Sequence, residues 1–88
     1  MYTTEQKIEL LKTSYLLVIT EDLLDIEAGE YYISWLDDEN VADLENSILH
    51  LENDSCGEME IEISSIDIND PSVLLYRLML VNPLINQN

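Results

Sequence analysis

Apolar residues near the start of the chain recur at the helical period: Ile8, Leu11, Tyr15, Ile19 and Leu23 lie three or four positions apart and would share one helix face. The spacing predicts a helix from about Glu5 to Val18, with Thr4 and Lys7 placed for its cap and first turn. The β-branched residues Val18, Ile19 and Thr20 leave its end open, and a short strand over Tyr15 to Ile19 competes for the same residues. Glu21 to Ala28 reads as another helical turn, closed by Gly29 in the left-handed conformation.

Tyr31 to Leu36 is aromatic and β-branched, which predicts a strand after the Gly29 turn. Alternation within it sets Tyr31, Ile33 and Trp35 on one face and Tyr32 and Ser34 on the other, with Tyr32 expected outside. Asp37, Asp38, Glu39 and Asn40 form a polar cluster able to cap the next element. Val41, Leu44, Ile48 and Leu51 are then spaced at three and four, which predicts an amphipathic helix over Val41 to Leu51 with Asp43, Glu45 and Glu52 on its outer face.

Beyond the turn residues Asn53, Asp54, Ser55 and Gly57, the run Glu58-Met59-Glu60-Ile61-Glu62-Ile63 alternates throughout. As a strand it carries Met59, Ile61 and Ile63 inward and the three glutamates outward. At Ser64-Ser65 the phase slips, and a bulge there would return Ile66 and Ile68 to the core side. Asn69 to Ser72 is a turn with proline at its second position. Val73 to Val81 fits a helix started at Pro71 or a central strand covered on both faces. The strand is preferred because it would complete a hairpin with the alternating run before it.

The expected fold is therefore α+β, one domain over residues 1–88. It comprises an N-terminal helix, a short strand, a second amphipathic helix and a C-terminal antiparallel hairpin, with 84–88 a loose tail. Two glycines and two prolines in 88 residues are too few for a linker or a multi-turn barrel. The single cysteine, Cys56, excludes an internal disulfide. No basic n-region or long apolar run opens the chain, so a cytoplasmic location is expected and a membrane is not.

Charge changes this picture most. Seventeen carboxylates and no lysine or arginine lie between Glu21 and Asp70, and the whole chain carries a formal charge of −16. Small domains stay in solution with a net charge of roughly 2 to 8, and more works against folding by self-repulsion. Such a field repels DNA, RNA and anionic lipid and attracts basic surfaces.

Candidate chemistry is sparse. His50 is the only histidine, and neither Ser47 nor Cys56 stands in a nucleophile signature around it. An EF-hand register that places Gly57 sixth leaves Cys56 fifth and Ile63 twelfth, so required oxygen ligands are missing. One cysteine and one histidine fall short of a zinc set. No aspartate-serine-leucine context exists for a phosphopantetheine arm. The chain is thus read as non-enzymatic, with no cofactor and no metal.

What remains is binding. Glu58, Glu60 and Glu62 would form a row of carboxylates about 6.6 Å apart on one strand face, joined by Asp37, Asp38 and Glu39 or by Asp43 and Glu45. Tyr31, Tyr32 and Trp35 are the candidate aromatic anchors beside them, Tyr32 being the one expected outside. The expected function is that of a small acidic inhibitor which occludes the nucleic-acid-binding surface of a basic protein, as an immunity protein for a nuclease toxin or as a phage-type nucleic-acid mimic. The alternative is a structural or regulatory module that self-associates, as a homodimer for instance, or pairs through a sheet edge, its charge serving solubility.

Overall fold

In the computed structural model, which describes residues 2–39 and 41–77, a capping box starts the first element. The Thr3 hydroxyl accepts from the Gln6 amide at 3.1 Å while the Gln6 side chain accepts from the Thr3 amide at 2.9 Å, which satisfies two amides that a helix start leaves open. Helix α1 covers Thr4–Lys12 and buries Ile8 and Leu11.

The helix stops well short of Val18. The Thr13 hydroxyl donates to Glu9 O and Leu10 O and the Ser14 hydroxyl donates to Leu10 O at 2.6 Å, so side chains take up the last helical carbonyls. Strand β1, Ser14–Ile19, follows at once. The competing strand over Tyr15 to Ile19 is thus the one that forms. The helical period also misassigned the core: Leu17 is fully buried, whereas Tyr15 is exposed.

Residues 21–28 are an irregular loop rather than a helical turn. Asp22 Oδ1 accepts from the Ala28 amide at 2.8 Å, and the Tyr31 hydroxyl donates to Glu27 O at 2.7 Å. Ile26 is thereby held in the core. Burial first of all, with the proximity of Cys56, Glu27 and Asp22 in support, pushes the Tyr31 phenol above its ordinary pKa.

Strand β2, Gly29–Asp37, contains the expected Tyr31 to Leu36. The helix expected over Val41 to Leu51 does not form. A short 3-10 turn, Leu44–Asn46, capped by Asp43, leads into strand β3, Ile48–Asn53. Leu49 is buried and Leu44 is exposed, the reverse of what the helical stripe required, while Leu51 is buried as either period demands. The period-2 pattern Leu49-His50-Leu51-Glu52 prevails because β3 is gripped on both sides, by β2 and by strand β4, Gly57–Glu62.

A tight turn sets the β3–β4 register. Asn53 Oδ1 accepts from the amides of Ser55 (2.7 Å) and Cys56 (3.1 Å), and its Nδ2 donates to Glu30 O at 2.9 Å on β2. Gly57 closes the turn at φ 76°, a conformation that costs other residues about 1–2 kcal/mol. Asn53→Ala is expected to lower the unfolding free energy by about 1–2 kcal/mol, read from urea titration, because these three contacts depend on one side chain.

The chain then leaves the sheet. At Ile63–Ser65 a second 3-10 turn replaces the expected bulge, although Ile63 and Ile66 still end up buried. Residues 63–72 cross to the far side of the sheet and deliver strand β5, Val73–Arg77, to β1. The C-terminal hairpin therefore does not exist: β4 pairs with β3, and β5 lies beside β1 rather than in the centre. The extension of this strand over 78–81 and the tail at 84–88 fall outside the described residues.

The sheet order is β4-β3-β2-β1-β5, all antiparallel. The architecture is mostly sheet, with one α-helix among the described residues, not a two-helix α+β domain. Leu17, Ile19, Tyr31, Leu36, Leu49, Leu51, Ile61 and Val73 project from one face. Ile8 and Leu11 of α1, with Ile26, Ile63 and Ile66, complete that core. Helix and loops thus cover one face of the sheet.

Candidate functional site

No described element packs over the opposite face. Its residues are given by the register, since directly paired residues share a face. One row runs Glu58, Glu52, Tyr32, Leu16, Tyr76 across all five strands, and a second runs Glu60, His50, Trp35. A third joins Glu62, Ile48 and Asp37. The β4–β3 end of this outer face is acidic apart from His50 and Ile48, and the exposed aromatic side chains begin at β2.

Trp35 reaches the outer face through a bulge. Ile33 pairs with Leu51 and Trp35 with His50, so Ser34 is an extra residue on β2 and the side-chain phase inverts across it. Trp35 therefore parts from Tyr31 and Ile33, with which simple alternation groups it, and joins Tyr32. Both are about half exposed, at 53% and 52%. A second extra residue, Tyr15, interrupts β1 opposite β5.

The Trp35 and His50 rings stack with centroids 4.2 Å apart and planes 6° from parallel. On its other side His50 has Nδ1 3.6 Å from Glu60 Oε2, a contact that becomes an ion pair when the imidazole is protonated. The stack fixes Trp35 against the strand, a large apolar surface held at small entropic cost on binding. Trp35, His50, Glu52, Glu58 and Glu60 surround a shallow concavity on this face.

The expected acidic residues do not all gather there. Glu58, Glu60, Glu62, Tyr32 and Asp37 share the outer face, with Glu39 in the exposed turn beyond β2, its amide donating to Asp37 Oδ1 at 3.1 Å. Asp38 turns toward the helix side and meets Lys12 at 2.8 Å. That contact holds the Asp38 carboxyl below its usual range and the Lys12 ammonium above its own. Asp43 caps the 3-10 turn, and Glu45 accepts from the Thr4 hydroxyl at 3.2 Å. These three belong to the helix side and leave the site.

Of the three candidate anchors, Tyr32 and Trp35 lie on this face, whereas Tyr31 is buried in the core; Glu52 and His50 escape a sequence-based reading as binding residues. The alternation Leu49-His50-Leu51-Glu52 was the available signal for both, masked by the helical spacing of Val41, Leu44, Ile48 and Leu51.

All three cationic side chains are likewise engaged away from the outer face. Lys7 donates to Ile63 O, and Arg77 Nε donates to Thr13 Oγ1 at 3.1 Å. Burial lowers the Lys7 pKa first of all, against the opposing pull of Asp67 and Glu45. With Lys12 on Asp38, no lysine or arginine offsets Glu52, Glu58, Glu60 and Glu62. The electrostatic consequence is a one-signed face.

The Lys12–Asp38 pair has a defined pH window. Asp38, with a depressed folded-state pKa, contributes stability above the unfolded value and loses it as pH falls through the folded one. Lys12, with a raised pKa, contributes below its unfolded value and loses it as pH rises through the folded one. In Lys12→Ala the Asp38 carboxyl should titrate at a higher pH than in the parent, as followed by its carbon chemical shift.

Among the described residues no three His, Cys, Asp or Glu side chains converge to hold a metal ion, and no helix is long and apolar enough to cross a membrane. The exposed Cys56 lies in the β3–β4 turn, away from His50 in the middle of β3. Comparison of the chain with protein-family models, with curated proteins and with solved structures gave no match.

Proposed function

We propose that this protein is a small acidic inhibitor without enzymatic activity, which uses the outer face of its sheet to bind and occlude the nucleic-acid-binding surface of a basic protein. The partner is a nuclease toxin, for which the chain would be the immunity protein, or a nucleic-acid enzyme or complex blocked by a phage-type mimic. A cytoplasmic encounter belongs to this reading.

The observation that supports it is the composition of one uncovered face: Glu52, Glu58, Glu60 and Glu62 without a lysine or arginine, beside Tyr32 and Trp35. Regularly spaced carboxylates match a surface built for phosphates. Long-range attraction speeds encounter, and desolvated aromatics slow departure. Either component alone is common on protein surfaces; the two together resemble a charged rim beside an anchor.

Occlusion makes the partner's two ligands exclusive. When the purified chain is used as bait, the bound protein should be basic, should elute as sodium chloride rises, and should be displaced by an excess of a duplex DNA or RNA fragment. A partner that stays bound through high salt and excess nucleic acid contradicts the proposal. Recovery of the chain's own copies alone would favour the self-associating module.

A further inference from the structure

β4 is an end strand of the sheet among the described residues, and its hydrogen-bonding phase is fixed. The Ile63 amide donates to Ser47 O at 3.0 Å, just beyond the pair Ile48–Glu62. In an antiparallel ladder bonded and non-bonded pairs alternate, so Gly57, Met59, Ile61 and Ile63 direct their backbone groups at β3. Glu58, Glu60 and Glu62 direct theirs away from the sheet. The same three residues thus offer both the outer-face carboxylates and the edge N–H and C=O groups that no described strand takes up.

A free edge is a template for another strand, and charge decides which one. A second copy paired antiparallel about Glu60 would set Glu60 opposite Glu60 and Glu58 opposite Glu62, a run of facing carboxylates. Like charges directly opposite are destabilising, and opposite charges stabilise by roughly 0.2–1 kcal/mol per pair. The edge therefore repels its own copy and favours lysine or arginine at alternate positions. On the inner side Ile61 is buried and Met59 half-buried, so the intervening residues of an incoming strand meet apolar neighbours.

We infer that β4 accepts an antiparallel strand from the basic partner, in which lysine or arginine stands opposite Glu58, Glu60 and Glu62 and apolar residues alternate with them. This rests on the reading that the acidic face binds a basic protein, and it adds backbone pairing to that contact. Antiparallel pairing is chosen because every described strand pair is antiparallel. In that geometry the backbone groups of the basic residues face β4 and those of the apolar residues face away.

The test uses the full chain, labelled with nitrogen-15, and a short synthetic peptide alternating lysine and valine. Two further peptides carry backbone N-methyl groups, one on the lysines and one on the valines. At saturation the amides of Glu58, Glu60 and Glu62 should exchange with solvent at least about tenfold more slowly. Methylation of the lysine amides should abolish that protection and weaken binding, whereas methylation of the valine amides should do neither. Glu60→Pro should bind more weakly than Glu60→Gln, since both lose the charge and only the first loses the N–H.

Equal binding by all three peptides without amide protection overturns strand addition and leaves the charged-face reading standing. No peptide binding, together with a partner whose affinity ignores charge reversal at 58, 60 and 62, overturns both. Slowed exchange of these amides with rising protein concentration and no peptide would show self-pairing, and would also overturn the inference.

Discussion

Replacement of Glu58, Glu60 and Glu62 by lysine is expected to weaken the complex with the basic partner by about 100-fold or more, while the melting temperature moves by no more than about 5 °C. Each reversal changes the charge by two, so the triple variant carries −10 in place of −16. The loss exceeds what the net change implies, because it falls on the one face where no cation offsets the carboxylates.

The fold tolerates the change for a separate reason. All three side chains are exposed, and the β4 backbone groups that bond β3 belong to their neighbours. Reduced self-repulsion favours the compact state. Titration of the captured partner and thermal melting separate the two effects. An unchanged affinity would take β4 out of the interface, whereas a collapsed melting temperature would assign the glutamates a structural role.

The second large effect lies in the core. Leu17→Ala is expected to cost about 2–5 kcal/mol, enough to leave much of the protein unfolded if a domain this small has a stability of about 5 kcal/mol. Leu17 is fully buried, paired with Tyr31 on β2 and Leu75 on β5, so truncation opens a cavity in the middle of the sheet. Tyr15→Ala, at an exposed bulge two residues earlier, should cost less than about 1 kcal/mol. Urea titration of the pair checks the register of β1. A helix continuing to Val18 would reverse the order, because the stripe of Ile8, Leu11, Tyr15 and Ile19 buries Tyr15 and leaves Leu17 aside.

That reversal shows why the sequence was legible in some places and not in others. Where one period was present without a rival, as in Glu58 to Ile63, the strand and both its faces could be read directly. The strand over Tyr31 to Leu36 was legible as well, but not its bulge at Ser34, so alternation alone groups Trp35 with the core residue Tyr31. Over Val41 to Leu51 both periods coexist, and only pairing with β2 and β4 selects between them. That choice rests on contacts distant in sequence. The partner of β5 was not legible because residues 63–72 carry it past the nearest strand to β1.

The site divides in the same way. The row at 58, 60 and 62 and the exposure of Tyr32 came from local alternation. The union of that row with Glu52, His50 and Trp35 needed three strands in register. Asp38 and Glu45 looked equivalent to the others in sequence, yet Lys12 and Thr4 engage them on the helix side.

The account stands most directly on which face meets the partner. A photo-activatable cross-linking residue at position 32, on the outer face, can be compared with one at position 9, on the exposed side of α1, in protein mixed with the captured basic partner. The account predicts efficient cross-linking from position 32, suppressed by added nucleic acid, and none above background from position 9. Cross-linking from position 9 alone, with position 32 silent, would contradict it.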